Sequence, residues 1–178
     1  MSRLVVTLRP ALELDQGFLQ RVYASTRTAE LALTGWDEMT CGMFVQMQFV
    51  AQSTHYRLHW PASEHSVIQV QSQDATLPVG RLWIDRRAKA IHVLDIALLP
   101  YWRSQGIGGK CLQRLVHEVS QKGHELTIQV EQDNPARGLY DRLGFQSVGP
   151  QRGLHQLMAW RNPANATLPR EEACYEQA

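Results

Sequence analysis

Cysteine and long apolar runs are both scarce in this sequence. Its three cysteines, Cys41, Cys111 and Cys174, are an odd number and lie far apart, which argues against a disulfide framework and suits a reducing compartment. No stretch approaches the roughly 18 apolar residues that span a bilayer, and the opening segment, residues 1–6, is too short an apolar run for a signal peptide. We therefore expect a cytoplasmic protein without a membrane partner.

An excess of charge of one sign is also lacking. The formal net charge is +1 and no basic stripe is visible, so a nucleic-acid partner is not expected. Hydrophobic residues make up 44% and charged residues 20% of the chain, which is ordinary for a globular protein. We expect one domain over residues 1–161, and a loosely held tail over residues 162–178, where apolar periodicity stops.

Apolar periodicity predicts a mixed α/β fold. A first strand over residues 4–8 precedes a helix that Asp15 is expected to cap. A long helix from about Trp36 to His59 follows, ended by Pro61. Its inner face is expected to hold the apolar residues Met39, Met43, Phe44, Met47, Val50, Ala51 and Leu58.

The rest of the chain is predicted to alternate between strands and two helices. The run 91–99 is apolar but for His92 and Asp95, as in a central strand buried on both faces. Asn134-Pro135 is expected to start the last helix, with proline at its first position. The order β-α-α-β-β-β-α-β-α-β-β indicates a mostly hairpin-connected, largely antiparallel sheet. The other predicted segments are strands over 67–70, 79–84, 126–130, 146–148 and 154–160, and a helix marked by apolar residues from 107 to 119.

The most informative segment is the turn at residues 100–109, which joins a buried strand to an amphipathic helix. Three glycines within four residues, Gly106, Gly108 and Gly109, allow close approach of a ligand to the backbone. The first amides of a helix favour a pyrophosphate, and Arg103 is expected to add a charged contact. A Walker A loop and a dinucleotide fingerprint both fail, because Cys111 stands where each requires another residue.

What remains is the pattern R-x-x-G-x-G over residues 103–108, and with its setting it resembles the GNAT superfamily of N-acetyltransferases. The segment 96–103 is similar to the fourth strand of that family and its exit. A second block, residues 134–145 with Asn134, Ala136, Leu139-Tyr140 and Leu143-Gly144-Phe145, resembles the family's following motif. The resemblance covers roughly residues 79–160. It implies a seven-stranded sheet whose fourth and fifth strands splay apart around the pantetheine arm of acetyl-CoA.

The resemblance also implies the cofactor-binding residues. The backbone of Leu98 to Pro100 would pair with the pantetheine arm, and the Leu98 N–H would stabilise the oxyanion of the thioester carbonyl. Asn134 would either bond the arm or cap its helix. The implied set for acetyl-CoA, with no metal, is Leu98, Leu99, Pro100, Arg103, Ser104, Gln105, Gly106, Ile107, Gly108, Gly109, Asn134 and Tyr140.

Three side chains are candidates for proton transfer. By resemblance, Tyr140 is the general acid for the leaving thiolate; otherwise its ring simply packs in the core. His92 and Asp95 are the two candidates for the base, and strand alternation places them on opposite faces unless a bulge intervenes. Each of them is otherwise a hydrogen-bonded structural residue.

The resemblance implies that the acceptor pocket lies near residues 31–36. Glu30, Trp36 and Asp95, with Asp37 and Glu38, would suit an amine on a small molecule or a peptide, or else serve as capping and surface residues. The expected activity is acetyl transfer from acetyl-CoA to an amine, by a monomer or homodimer. Two alternatives remain, a non-catalytic acyl-CoA sensor and an interaction protein whose glycine turn is structural.

Overall fold

The structure, a computed structural model, describes residues 4–71, 75–151 and 153–162. Its elements follow the predicted order. The strands are β1 (Val5–Pro10), β2 (Glu64–Gln71), β3 (Thr76–Arg86), β4 (Ala90–Leu98), β5 (Glu125–Glu131), β6 (Gln146–Ser147) and β7 (His155–Trp160). The helices are α1 (Gln16–Ala32), α2 (Glu38–His59), α3 (Ile107–Lys122) and α4 (Arg137–Arg142).

The strands form a seven-stranded sheet in the order β1-β2-β3-β4-β5-β7-β6. Its pairs β1–β2, β2–β3, β5–β7 and β6–β7 are antiparallel. The pair β4–β5 is parallel, from Ala90 opposite Glu125 to Val93 opposite Ile128. The expected mixed α/β class with a mostly antiparallel sheet is confirmed.

The chain divides into two compact units. The first contains the residues up to Asp85 together with Leu94–Cys111, and the second contains Arg86–Val93 together with the residues from Leu112 onward. In the first unit, α1 and α2 pack over the sheet through Leu19, Tyr23, Val45, Phe49 and Val67. Burial of such side chains supplies the main stabilising free energy. In the second unit the buried apolar side chains include Leu112, Leu115, Val119, Leu126, Ile128 and Met158.

The predicted amphipathicity of α3 is confirmed, because Ile107, Cys111, Leu112, Leu115 and Val119 are all buried. None of the helices in the described residues is both long and apolar enough to cross a membrane. The tail expected over 162–178 lies, from residue 163 onward, outside the described residues.

The expected inner face of α2 is wrong. Met39, Met43 and Met47 are 76%, 70% and 58% exposed, and the buried side chains of this helix are Val45 and Phe49. Because α2 carries apolar residues on two sides, periodicity alone does not determine which side packs against the rest of the protein. The side that packs is the one that carries Phe49, whose ring contacts Tyr23 of α1 with 5.8 Å between ring centroids.

Two expected helix starts are also corrected. The Asp15 side chain does not cap α1; it accepts from the Leu12 N–H at 2.8 Å and pairs with Arg9 at 2.6 Å. The last helix begins at Arg137 rather than at Pro135. The Asn134 side chain instead stabilises the turn just before the helix, where its Oδ1 accepts from the Ala136 N–H at 2.8 Å.

Candidate functional site

The first part of the candidate site is the end of β4, where the strand runs very close to β3. A Cβ placed on Gly80 would lie 2.3 Å from the Ala97 carbonyl oxygen and 2.6 Å from the Leu98 Cδ2. Only glycine permits this approach. Just beyond the strand, the Leu99 N–H donates to the Val79 carbonyl at 2.9 Å. The contacts of Gly80 and Val79 therefore fix the position of the end of β4 relative to β3.

The chain then makes one 3₁₀ turn, Pro100–Trp102, and enters α3 through two left-handed residues. Ser104 has φ +58° and Gly106 has φ +76°. The positive φ is unusual for serine, which pays a conformational cost that glycine does not. Ile107 is buried at the first helical position and anchors the turn, whereas residues 103–106 are exposed.

The amides of this turn fit a diphosphate. Within the part of the chain that the structure describes, the N–H groups of residues 104–109 donate to no backbone carbonyl, and the first such bond of α3 runs from Lys110 N–H to Gly106 O at 3.0 Å. A Cβ on Gly106 would meet no atom within 4 Å. The amides thus stand at an open, positively polarised helix start, which is the environment that phosphate oxygens prefer.

Arg103 braces the turn. Its Nε donates to the Leu98 carbonyl oxygen at 2.9 Å, and its Nη2 donates to the carbonyl oxygen and the hydroxyl of Ser25, each at 2.9 Å. The pattern R-x-x-G-x-G by itself predicts a phosphate contact for this guanidinium. Sequence inspection missed Ser25, because a residue on α1 carries no signal that it meets a turn 78 positions away.

Asp95, a candidate base, is ion-paired with a buried arginine. The Asp95 Oδ2 lies 2.6 Å from Nε of Arg81, whose side chain is 1% exposed, although Nε lacks the alignment of a hydrogen bond. Arg81 also donates to the Gln52 Oε1 at 2.8 Å and lies over the ring of Tyr23, 5.4 Å from its centroid. The Asp95 carboxylate therefore has a structural role, because it is the counter-charge of the buried Arg81 cation.

Tyr56 closes this polar cluster. Its hydroxyl donates to the Leu94 carbonyl at 3.0 Å. Burial, with the nearby Asp95 charge, raises the pKa of Tyr56 to about 12. Tyr56 is therefore a neutral donor throughout the physiological range. Neither Arg81 nor Tyr56 was identified from the sequence. The sequence does not show that an arginine within a strand is buried, or that Tyr56 contacts Leu94, 38 positions away.

His92, the other candidate base, lies in the second unit. Its Nδ1 is 2.8 Å from the hydroxyl oxygen of Thr127, which is fully buried. The Thr127 hydroxyl in turn donates to the Ile91 carbonyl in a long bond of 3.5 Å. The contact between His92 and Thr127 fixes the orientation of the imidazole ring.

Tyr140 lies in α4 and is 3% exposed. Its ring contacts Phe145 edge to face with centroids 5.8 Å apart, and its carbonyl accepts from the Phe145 N–H at 3.0 Å. The Leu-Gly-Phe end of the second sequence block thus holds Tyr140 in place. Gly144 supplies the turn between them, with φ +90°.

The residues expected at the acceptor pocket have local partners. Glu30 pairs with Arg27 at 3.1 Å, and Trp36 is 46% exposed with its ring edge-on to Phe44 at 5.2 Å. Asp37 caps α2 by accepting from the Thr40 N–H at 2.7 Å, and this bonding lowers the pKa of its carboxyl. For Asp37, the alternative of a capping residue is therefore correct.

Comparison with known proteins identifies the family. The sequence profile described as Acetyltransferase (GNAT) domain matches residues 37–157, which is well over half of the chain. The chain belongs to the GNAT acetyltransferases. The resemblance to this family that the two sequence blocks carry is thereby confirmed.

A curated relative and two solved structures are similar to this chain. The [Ribosomal protein bS18]-alanine N-acetyltransferase of Haemophilus influenzae is 35% identical over 64 residues, which are 35% of this chain and 44% of that protein. The chain thus matches less than half the length of this relative.

The two structures share the fold at low identity. The PaiA N-acetyltransferase of Thermoplasma acidophilum, solved in complex with coenzyme A, has a TM-score of 0.62 at 15% identity, covering 88% of this chain and 99% of that one. The ribosomal-protein-S18-alanine N-acetyltransferase of Escherichia coli has a TM-score of 0.54 at 19% identity, covering 95% and 99%.

Proposed function

We propose that this protein transfers an acetyl group from acetyl-CoA to a primary amine, which attacks the thioester directly without a covalent acyl-enzyme. The observation that carries the proposal is the exposed turn before α3, where the amides of residues 104–109 have no backbone acceptor in the described part of the chain. These amides would hold the pyrophosphate. Acetyl-CoA, when bound, supplies the activated acyl group.

The backbone of Leu98 to Pro100 is assigned to the pantetheine arm. In this proposal the Leu98 N–H donates to the thioester carbonyl oxygen and stabilises the charge that develops there. Two observations support the assignment. Gly80 and the Arg103 guanidinium both fix the position of Leu98, and a donor that is fixed in advance needs no reorganisation during the reaction.

We assign the base to His92 rather than to Asp95. The Asp95 carboxylate is engaged in an ion pair with the buried Arg81 at 2.6 Å, which gives it a structural role. In this proposal the Thr127 hydroxyl accepts from Nδ1–H of His92, and Nε2 of the neutral imidazole takes the proton from the amine. Imidazole also ionises closest to neutral pH. Tyr140 is assigned as the acid that protonates the departing thiolate.

Calorimetry with CoA and a thiol-release assay with a panel of amines test this function. Peptides that present an alanine amine are the first acceptors to try, because the curated relative and one structural neighbour are named as alanine N-acetyltransferases of a ribosomal protein. Polyamines and free amino acids follow. Thiol release that depends on one amine class is the expected result. CoA binding without release from any amine would instead support the acyl-CoA sensor.

A pair of matched glycine variants tests the turn itself. Gly106 and Gly149 have similar left-handed conformations, φ +76° and +68°, and a Cβ at either would meet no atom within 4 Å. Alanine should therefore cost each a similar, modest amount of stability. We expect Gly106→Ala to weaken CoA binding about tenfold or more, and Gly149→Ala to leave it unchanged. If CoA does not bind the unaltered protein at all, both ligand-based functions are excluded.

A further inference from the structure

Helix α2 carries a row of exposed apolar side chains on the side opposite its buried face. Met39, Met43, Met47, Val50 and Leu58 are between 50% and 76% exposed, and at 3.6 residues per turn they fall within one face of the helix. We call these five residues the α2 stripe. It contains three of the five methionines of the chain.

The outer face of α2 also lacks charge. From Met39 to Tyr56 the sequence contains no Asp, Glu, Lys or Arg, whereas the solvent face of a helix normally carries charged residues. Loss of charged residues and enrichment in methionine are characteristic of the centre of a protein interface. The composition of this face therefore matches a surface that another protein covers.

The ends of α2 identify the occupant. Exposed Asp37 stands at its start, and exposed Arg57 stands near its end. An antiparallel copy of the same helix would place the acidic start of each beside the basic end of the other, and would oppose the two helix dipoles favourably. We propose that α2 packs against α2 of a second copy of this chain, antiparallel about a twofold axis near Met47.

The size of the stripe sets the expected strength. A helix of 22 residues is about 33 Å long and about 10 Å wide, so one face covers less than the roughly 800 Å² per partner of a standard interface. Leu33 and Trp36, 88% and 46% exposed, extend the apolar surface beyond the start of the helix. The dimer should therefore be concentration-dependent, with dissociation in the micromolar range.

Light scattering coupled to size exclusion tests dimer formation. The unaltered chain should shift from monomer to dimer mass as its concentration rises through the micromolar range. The double variant Met43→Lys with Met47→Lys should raise the dissociation constant at least about thirtyfold. Because both side chains are mostly exposed, this variant should keep the thermal midpoint of the monomer. Leu14→Lys, at a leucine that is 80% exposed outside α2, is the matched control and should leave dimerisation unchanged.

Cysteine cross-linking tests the orientation, in a background with Cys41→Ser and Cys174→Ser. Met47→Cys lies next to the proposed axis and should form a disulfide-linked dimer on mild oxidation. Met39→Cys should not, because antiparallel pairing separates the two copies of residue 39 by about 25 Å along the helices, far beyond the roughly 6 Å between α-carbons of a disulfide. Equal cross-linking of both variants would overturn the antiparallel arrangement.

A monomer at every concentration tested would overturn the proposal, which does not depend on acetyl transfer. If the Met43→Lys/Met47→Lys variant of that monomer loses acetylation of a protein acceptor but not of a small amine, the stripe is instead an acceptor-docking surface. A dimer that the double variant abolishes, with linkage at Met47→Cys and not at Met39→Cys, supports the proposal.

Discussion

The Arg103 guanidinium joins the carbonyl oxygen of Leu98, at the end of β4, to Ser25 on α1, with each hydrogen bond 2.9 Å long. One side chain thus holds the end of β4 and the start of the turn before α3 against a helix that is far away in sequence. The brace explains why an arginine is useful here even without a phosphate contact. Bracing of the turn and contact with a phosphate are two different roles of Arg103, and the sequence pattern alone cannot distinguish them.

We expect Arg103→Ala to weaken CoA binding about tenfold, and Arg103→Lys to restore little, because one ammonium cannot reproduce the forked geometry of the guanidinium. The informative variant is Ser25→Ala. It removes one acceptor of the brace and should weaken CoA binding about threefold, whereas a purely phosphate-binding Arg103 predicts no change. Titration calorimetry measures all three, with Arg21→Ala, at an exposed arginine of α1, as the control.

Gly80→Ala should destabilise the protein by about 2 kcal/mol, because the new Cβ would lie 2.3 Å from a backbone oxygen and β3 or β4 must move. Displacement of Leu98 should also weaken CoA binding. Gly42→Ala is the control, since its Cβ would meet no atom within 4 Å on an exposed helix and should stabilise by up to about 1 kcal/mol. Urea unfolding gives both free energies, and equal stability of the two variants would contradict the close approach.

Asp95→Asn should lower the free energy of unfolding by about 3 kcal/mol, because it leaves the Arg81 cation buried without its counter-charge. Adding Arg81→Met should recover most of that loss. If Asp95 serves Arg81 and not the reaction, the double variant also recovers turnover. A double variant that regains stability but remains inactive would return the base to Asp95.

Tyr140→Phe should reduce turnover about a hundredfold while CoA affinity stays nearly unchanged. The edge-to-face contact with Phe145 does not involve the hydroxyl, so packing is largely retained. Steady-state kinetics and CoA titration measure the two quantities separately, with Tyr101→Phe, at an 80% exposed tyrosine, as the control. Equal losses in turnover and affinity would remove the acid role.

His65 should make stability depend on pH. Its ring is stacked on Trp83 with centroids 4.0 Å apart, and burial, reinforced by the positive charges of Arg81 and Arg57, lowers the pKa of His65 to about 4. The unfolded chain takes up this proton near pH 6.5. The stabilising contribution of neutral His65 is therefore complete above pH 6.5 and is lost as the pH falls towards 4.

Over that window we expect a loss of about 2 kcal/mol that His65→Phe does not show. Phenylalanine keeps a flat ring against Trp83 but cannot be protonated. Urea unfolding at a series of pH values measures the slope, and His117→Phe, at an exposed histidine of α3, should leave the slope as it is. A His65→Phe slope identical to that of the unaltered chain would contradict the assignment.

Much of the architecture was predictable from the sequence alone. The order of strands and helices and the amphipathic face of α3 follow from local periodicity, which neighbouring side chains on one element determine. The turn before α3 was also predictable, since a glycine such as Gly106 commonly marks left-handed backbone.

What only the tertiary structure decided is which groups meet across long separations in the chain. The second helix is apolar on two sides, so the packing of Phe49 against Tyr23, and not its own pattern, determined that the methionines are exposed. The pairing of Asp95 with Arg81 and the brace from Arg103 to Ser25 depend on contacts between separate elements. The local sequence does not predict such contacts, because they stabilise the protein only when the separate strands and helices have come together.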